Sequence, residues 1–399
     1  MKRATWFLLL TSGLGVLASA RPAEAIPAFA RKYRFSCTTC HAPFPRLKTY
    51  GEDFAGQGFR MADPSQEPAR ATLDTGDPLL RLPRDLPLAV RLDGFASWSQ
   101  AGPAKTDAQF PWVFKVLSGG PIHHKISYYF YFILEEGGVQ GLEDAYVQIN
   151  EPLGLPLNLM VGQFQVCDPL FKRELRLSRF DYQIFKTHVG LSGVDLTYDR
   201  GLVASSTLPG KVDAVFQLVN GAGIDTATDF GTFDRDSYKN LSLRLARRIA
   251  KHVRIGAFGY WGRERGMGEV TNRTYYLGPD LVLDLGQKWQ ISAQYLERRD
   301  NDPYFRQDVS RLFAGAPSGE LTTRGGFAEL QFLPKGPDGR WVLTGLYNKI
   351  DSDDPSARFE SASLTVNRLL ARNVRLALEA GRDLERDETQ VSLGLIAAF

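Results

Sequence analysis

The sequence predicts an all-β protein: a closed antiparallel transmembrane β-barrel of about sixteen strands, entered at one end by a small N-terminal unit. Three observations carry this. Apolar and polar residues alternate with period two through most of the chain beyond residue 85. The gaps between the alternating segments sort by parity, short ones alternating with potentially long ones. Mean hydropathy is −0.23, yet the chain holds 25 Phe, 15 Tyr, 6 Trp and 38 Gly. A polar average with many aromatics and glycines fits a wet lumen inside an apolar wall.

From the N-terminus, Lys2 and Arg3 precede an apolar stretch over 4–18, followed by Ala18-Ser19-Ala20 and Ala23-Glu24-Ala25. Residues 1–25 therefore read as a secretory signal peptide cleaved after Ala25. No apolar run long enough for a membrane-spanning helix follows. Residues 26–61 form a compact unit around Cys37-Thr38-Thr39-Cys40-His41. C-x-x-C-H is the attachment site of a c-type haem. The two thiols bond the haem vinyl groups and the histidine becomes the proximal iron ligand. A thioredoxin-like pair would need a βαβ setting, and a zinc site would need four ligands. Neither is visible, so one covalent haem c is expected on Cys37, Cys40 and His41. Export suits it, because thioether attachment happens outside the cytoplasm.

Met61, 21 residues after Cys40, is the expected distal iron ligand; the alternative is that it packs as an ordinary apolar side chain. His123, His124, His188 and His252 are expected to be surface histidines. Phe29, Tyr33, Phe35, Phe44, Tyr50, Phe54 and Phe59 surround the motif. They read as a haem sleeve, as a small core for a fragment too short to fold unaided, or as both. Arg31, Lys32, Arg46 and Lys48 read either as partners of haem propionates or as solvated charges. Residues 62–84, rich in proline and charge, read as a linker.

The barrel is expected over 85–399, with strands near 86–98, 109–118, 124–135, 141–150, 156–165, 190–200, 211–219, 239–247, 252–262, 272–283, 288–298, 323–333, 340–350, 358–368, 373–382 and 388–399. Leu241, Leu243 and Leu245 alternate with Ser242 and Arg244; Trp289, Ile291, Ala293 and Tyr295 alternate with Gln290, Ser292 and Gln294. Successive strand side chains point to opposite faces, so each segment has an apolar and a polar side. Residues 201–204 could extend the sixth strand. The long connections 166–189, 220–238 and 299–322 all follow odd-numbered strands, as expected if one rim carries short periplasmic turns and the other long outer loops. The last strand ends in Phe399, like a barrel-assembly signal.

Asp225, Asp229, Asp234 and Asp236, and separately Asp351, Asp353 and Asp354, fall in expected outer loops. Carboxylates suit hard divalent cations such as Fe²⁺, and equally serve as surface decoration. Cys167 reads as a free structural cysteine. Net charge is +3. No catalytic triad, phosphate-binding loop or nucleic-acid patch is present.

A single haem-c motif ahead of a porin-like barrel resembles the fused monohaem cytochrome–porin family. The local match is Phe29-Ala30-Arg31, then Cys37-x-x-Cys40-His41, Phe44-Pro45-x-Leu47 and Gly51. The resemblance implies an outer-membrane iron(II) oxidase, with extracellular Fe²⁺ as donor and a periplasmic c-type cytochrome or other soluble carrier as acceptor. That would be an iron(II):cytochrome c oxidoreductase. Independently, one haem cannot relay across an apolar band of about 25 Å, so the unit is expected to plug the lumen. A solute porin with a haem-bearing plug and an electron-exporting conduit remain the alternatives.

Overall fold

The computed structural model describes residues 28–399 except 44, 62, 64, 66–71, 78, 81, 85, 267–269, 307–316 and 318. The expected signal peptide, Phe44 and Met267 lie outside the described residues. Three short helices come first: α1 (Ala28–Tyr33), α2 (Cys37–Cys40) and α3 (Thr49–Gly56). The linker holds a two-residue ribbon, Thr72–Leu73 against Leu82–Pro83. The barrel strands are β1 (Leu88–Ser99), β2 (Thr106–His123), β3 (Ile126–Glu136), β4 (Val139–Asn150), β5 (Asn158–Gln165), β6 (Tyr198–Leu208), β7 (Val212–Val219) and β8 (Asn240–Ala250). They continue as β9 (Val253–Arg265), β10 (Thr271–Leu285), β11 (Trp289–Asp300), β12 (Leu321–Phe332), β13 (Trp341–Ser352), β14 (Phe359–Ala371), β15 (Val374–Asp383) and β16 (Glu388–Ala398).

Each strand pairs antiparallel with its neighbours in sequence, and β16 pairs with β1 to close the ring. The chain end seals the seam: Val90 N–H donates to the Phe399 carbonyl at 2.6 Å and Phe399 N–H to the Val90 carbonyl at 2.9 Å. Period-two alternation sets the faces. Trp98, Leu243, Trp261, Leu277, Trp289, Tyr295, Leu330, Trp341, Leu364, Leu378 and Leu393 are exposed on the outside. Ser242, Arg244, Asp280, Gln294, Glu329, Asn348, Thr365 and Glu379 are buried inside. Trp289 stacks on Phe332 at 4.1 Å, an outward aromatic pair of the kind that rims such barrels.

The connections sort as expected. One rim carries both ends of the barrel segment and the turns 124–125, 151–157, 209–211, 251–252, 286–288, 333–340 and 372–373. The other carries 166–197, 220–239 and 301–320. Two expectations are corrected. The sixth strand, expected at 190–200, is β6 at Tyr198–Leu208. The residues before it belong to the preceding connection, where Val194 and Leu196 are buried. That connection is also not an outer loop. It folds into the lumen, where Leu170, Phe171, Tyr182, Ile184 and Phe185 join wall residues Phe258, Tyr276, Leu296, Phe327 and Leu346 in the largest apolar core. So many large apolar side chains on a wet rim would cost more than burying them, because each sheltered side chain is worth about 1.5–3 kcal/mol.

Inward packing leaves loop carbonyls away from water, and Arg298 on β11 satisfies three of the loop's polar groups. Its Nη1 donates to the carbonyls of Thr187 at 3.0 Å and Val194 at 2.8 Å, and its Nη2 donates to Ser192 Oγ at 3.0 Å. Asp300 balances the charge at 2.6 Å. Arg298→Ala strands both the carbonyls and the buried carboxylate. It is expected to destabilise the folded barrel by about 3–5 kcal/mol and free the loop. Denaturant unfolding in detergent, with limited proteolysis between residues 166 and 197, checks both.

Candidate functional site

The N-terminal unit is built around one turn of helix. Ser36 caps α2, its Oγ accepting from Thr38 N–H at 3.4 Å. The turn closes with His41 N–H donating to the Cys37 carbonyl at 2.9 Å. Cys37 and Cys40, three apart on a helical turn, share one side of it, and both are free thiols. Burial pushes both thiols above their ordinary pKa, so both are protonated at neutral pH. The chain then doubles back. Ala42 N–H bonds the Arg46 carbonyl at 3.0 Å, and Lys48 N–H the Cys40 carbonyl at 2.8 Å.

Within this small loop His41 Nδ1 lies 2.5 Å from the Pro45 carbonyl. A carbonyl only accepts, so Nδ1 carries the proton and the lone pair is on Nε2. Burial lowers the imidazole pKa, which favours the neutral ring that binds metals. A histidine held by a backbone carbonyl at one nitrogen and facing a metal with the other is the usual outer-shell arrangement. Two thiols on one side of a turn and an imidazole in a fixed tautomer therefore fit a covalently attached haem. Gly51 lets α3 close on this turn, because a Cβ there would overlap the Cys40 carbonyl oxygen.

The aromatics form one cluster behind the turn. Phe29 stacks on Phe59 at 4.4 Å, Tyr33 meets Phe54 edge-on at 5.3 Å, and Phe35 meets Tyr50 at 6.1 Å.

The unit sits in the short-turn rim of the barrel and touches inward-facing residues on opposite walls. On one side, Gln148 of β4 and Asn158 of β5 donate to the Gly56 carbonyl at 2.6 and 3.2 Å. There Phe59 packs on Tyr129 at 5.3 Å and Arg60 donates to the His124 carbonyl at 3.2 Å. Gly58, at φ +71, has no room for a side chain against Ser127. On the other side Arg46 donates to Gln290 at 3.0 Å and ion-pairs with Glu329 of β12 at 2.7 Å. Glu329 also accepts from Tyr182 Oη at 3.0 Å, so this one carboxylate joins the plug to the inward loop. Tyr182 in turn stacks on Phe327 at 4.0 Å.

Cys37, Cys40 and His41 are thus brought together. Met61 is anchored differently: Arg60 before it is held at the β2–β3 turn, whereas the His41 loop is held through Arg46 at β12. Of the four expected propionate partners, Arg46 is engaged by Glu329 and Arg31 donates to the Leu88 carbonyl. Lys32 lies over the Tyr33 ring, and Lys48 is exposed. The His123 and His124 rings lie 4.0 Å apart and tilted by 52° at the β2–β3 turn, and His188 lies 3.4 Å from Asp195. His252 lies in the turn between β8 and β9. Cys167 is fully buried, and burial pushes its thiol well above the usual range. The outer acids serve local structure. Asp225 pairs with Arg235 at 2.9 Å, Asp236 accepts from Arg265 N–H at 2.9 Å, and Asp354 accepts from Gly190 N–H at 2.8 Å. Among the described residues no three His, Cys, Asp or Glu side chains converge as a metal site.

Sequence reasoning missed Glu329, Tyr182 and the whole inward loop. The density of Leu, Ile, Phe and Tyr between 170 and 196 was the available signal, since connections over water carry few large apolar side chains.

Against solved structures, the chain is similar to outer-membrane channels. It is 10% identical to a loop-deleted form of the outer-membrane protein OmpT of Vibrio cholerae, over 79% of this chain and 99% of that one, with a TM-score of 0.55. It is 11% identical to the outer-membrane channel DcaP of Acinetobacter baumannii, over 79% and 97%, TM-score 0.55. It is 10% identical to an anion-selective porin from Comamonas acidovorans, over 79% and 99%, TM-score 0.55. At such identities the likeness is one of fold: this is a sixteen-strand barrel of the porin type. No protein-family model and no curated protein sequence matches the chain.

Gly51→Ala tests the plug through a residue that meets no barrel strand. The added methyl is expected to force α3 off the Cys40 carbonyl at a cost of about 1–3 kcal/mol. Protease sensitivity of residues 28–61 should rise, and the barrel should unfold at lower denaturant to the extent that Arg46 is drawn off Glu329.

Proposed function

We propose that this chain is an outer-membrane electron-transfer protein carrying one covalent haem c on its N-terminal plug. It takes electrons from extracellular Fe²⁺ and passes them to a periplasmic c-type cytochrome. The observation that carries the reading is the Cys37–His41 turn, with its two free thiols and the Nδ1–Pro45 hydrogen bond. The haem would supply a one-electron redox centre. Cys37 and Cys40 would anchor it, His41 Nε2 would bind its iron, and Pro45 and Arg46 would hold the loop and seat it against β12. Residues 1–25, as a cleaved export signal, would deliver the chain to the compartment where attachment occurs. The apolar outer wall suits a bilayer and the polar inner wall a filled lumen. The inward loop and the plug would keep that lumen from acting as an open path.

A solute porin with a haem-bearing plug is the second reading. The comparisons favour it more directly, because the solved structures of like fold include a named channel and an anion-selective porin. An electron-exporting conduit would use the same residues in the opposite direction.

Purified full-length protein is expected to carry one haem per chain, lost in a Cys37→Ser/Cys40→Ser double variant. Fe²⁺ is expected to reduce the oxidised haem in a stopped-flow mixing experiment. Failure of that reduction, with solutes passing freely through barrels in liposomes, would replace the oxidase reading with the porin one. Met61 is the proposed distal ligand. Met61→Ala should then lower the midpoint potential and remove any sulfur-to-iron absorption band, with haem still attached. A wild-type spectrum of two nitrogen ligands overturns that assignment.

A further inference from the structure

Arg375 is a buried cation in the lumen that the fold leaves without an anion. It lies one residue into β15, between Leu369 of β14 and Ile396 of β16 in the pairing register. The side chain points inward and is 5% exposed. Its Nε and Nη1 meet no hydrogen-bond partner. The two carboxylates nearest in the wall are already engaged. Asp93 lies in the same row, beyond Ile396, and both its oxygens accept from Arg91 at 2.7–3.1 Å. Glu379, four residues along β15, accepts from the backbone of Arg179 at 2.7 Å and Phe180 at 3.1 Å and from Thr365 at 2.6 Å.

A second guanidinium comes from the inward loop. The Leu177 carbonyl accepts from Asn367 of β14 at 3.1 Å, which sets the neighbouring Arg176 against the strand beside β15. Arg176 Nη1 donates to the Arg173 carbonyl at 2.7 Å and lies 3.7 Å from Asp181, while its Nε is buried without a partner. Arg375 is buried and Arg176 part-buried, and with Arg91 near them these guanidiniums cannot relieve their repulsion by losing protons. Forked N–H donors of this kind match a carboxylate.

The N-terminal unit occupies the rim from which Arg375 rises. Arg31 in α1 donates to the Leu88 carbonyl at the start of β1, two strands from β15. Arg46 pairs with Glu329 on β12, three strands from β15 on the other side, and the Cys37–Cys40 turn lies between these two anchors in the chain. Of the plug's own basic residues, Arg46 and Arg31 are bonded elsewhere, and exposed Lys48 is the competing cation.

We propose that Arg375, with Arg176, is a carboxylate-binding site on the lumen wall, and that its occupant is a propionate of the haem attached at Cys37 and Cys40. This rests on the haem reading above. A free anion from the periplasm shares the chemistry and is the competing occupant.

The test uses full-length protein in detergent, comparing wild type with Arg375→Gln, Arg375→Lys and Arg176→Gln. Haem content is measured by mass and absorbance, and midpoint potential by redox titration. A cation beside the haem favours the reduced, more negative state. Arg375→Gln and Arg176→Gln should therefore lower the potential with haem still attached, and Arg375→Lys should stay near wild type. If Arg375→Gln does not fold, Arg176→Gln carries the same expectation. Unchanged potentials at full haem content overturn the propionate assignment. Bilayer measurements on the Cys37→Ser/Cys40→Ser protein, with and without Arg375→Gln, follow chloride selectivity. A selectivity change alongside unchanged potentials in the haem-bearing proteins would give the site to free anions instead. Wild-type protein without haem would overturn the haem reading itself, and this proposal with it.

Discussion

Closure of the sheet is the constraint on which everything else depends. A sheet of sixteen strands left open would offer two unpaired edges, and in a bilayer no water could satisfy them. The pairing of β16 with β1, finished by Phe399 on Val90, removes both edges at once. It also creates an interior that must be filled or left wet. The chain fills it from both ends, with the connection between β5 and β6 from one rim and residues before the linker from the other. The two fillings meet at Glu329, which accepts from Tyr182 above and Arg46 below.

Glu329 is an unusual place for so much dependence. It is almost wholly buried and sits on the inner wall. A carboxylate there is tolerable only with its cation, and the cation comes from the plug rather than from the barrel. The barrel and the plug are therefore not independent units joined by a tether. Each supplies the other with a partner that neither could do without at low cost.

The barrel was legible because period two is a direct record of which face each side chain takes. Leu243 against Arg244, and Leu378 against Glu379, read the wall correctly residue by residue. The Cys37–His41 turn was legible as a unit because its residues are consecutive enough for spacing alone to bring Cys37, Cys40 and His41 together. What sequence could not carry was distance. Nothing in the neighbourhood of Arg46 points to Glu329, and nothing near Arg375 marks it as unpaired. Parity places a long connection on a rim without saying whether it faces out or in, so 166–189 was expected outside and Leu170, Tyr182 and Phe185 were left unexplained. The sixth strand was misplaced for the same reason. Val194 and Leu196 look like strand residues because they are buried, and they are buried because the loop is.

The docked position of the plug also bears on an order of events. With the His41 loop held by Arg46 against Glu329 and Cys37 and Cys40 only part-exposed, an enzyme large enough to attach a haem would meet the short-turn rim on its way to these thiols. Such an enzyme would reach them more freely while the N-terminal segment is still undocked, before the barrel wall closes around it. The nascent chain would then travel to its membrane already carrying what had been attached, and strand pairing would proceed with a bulky passenger at its leading end. For the proposed haem, this geometry favours an order in which the cofactor comes before the barrel.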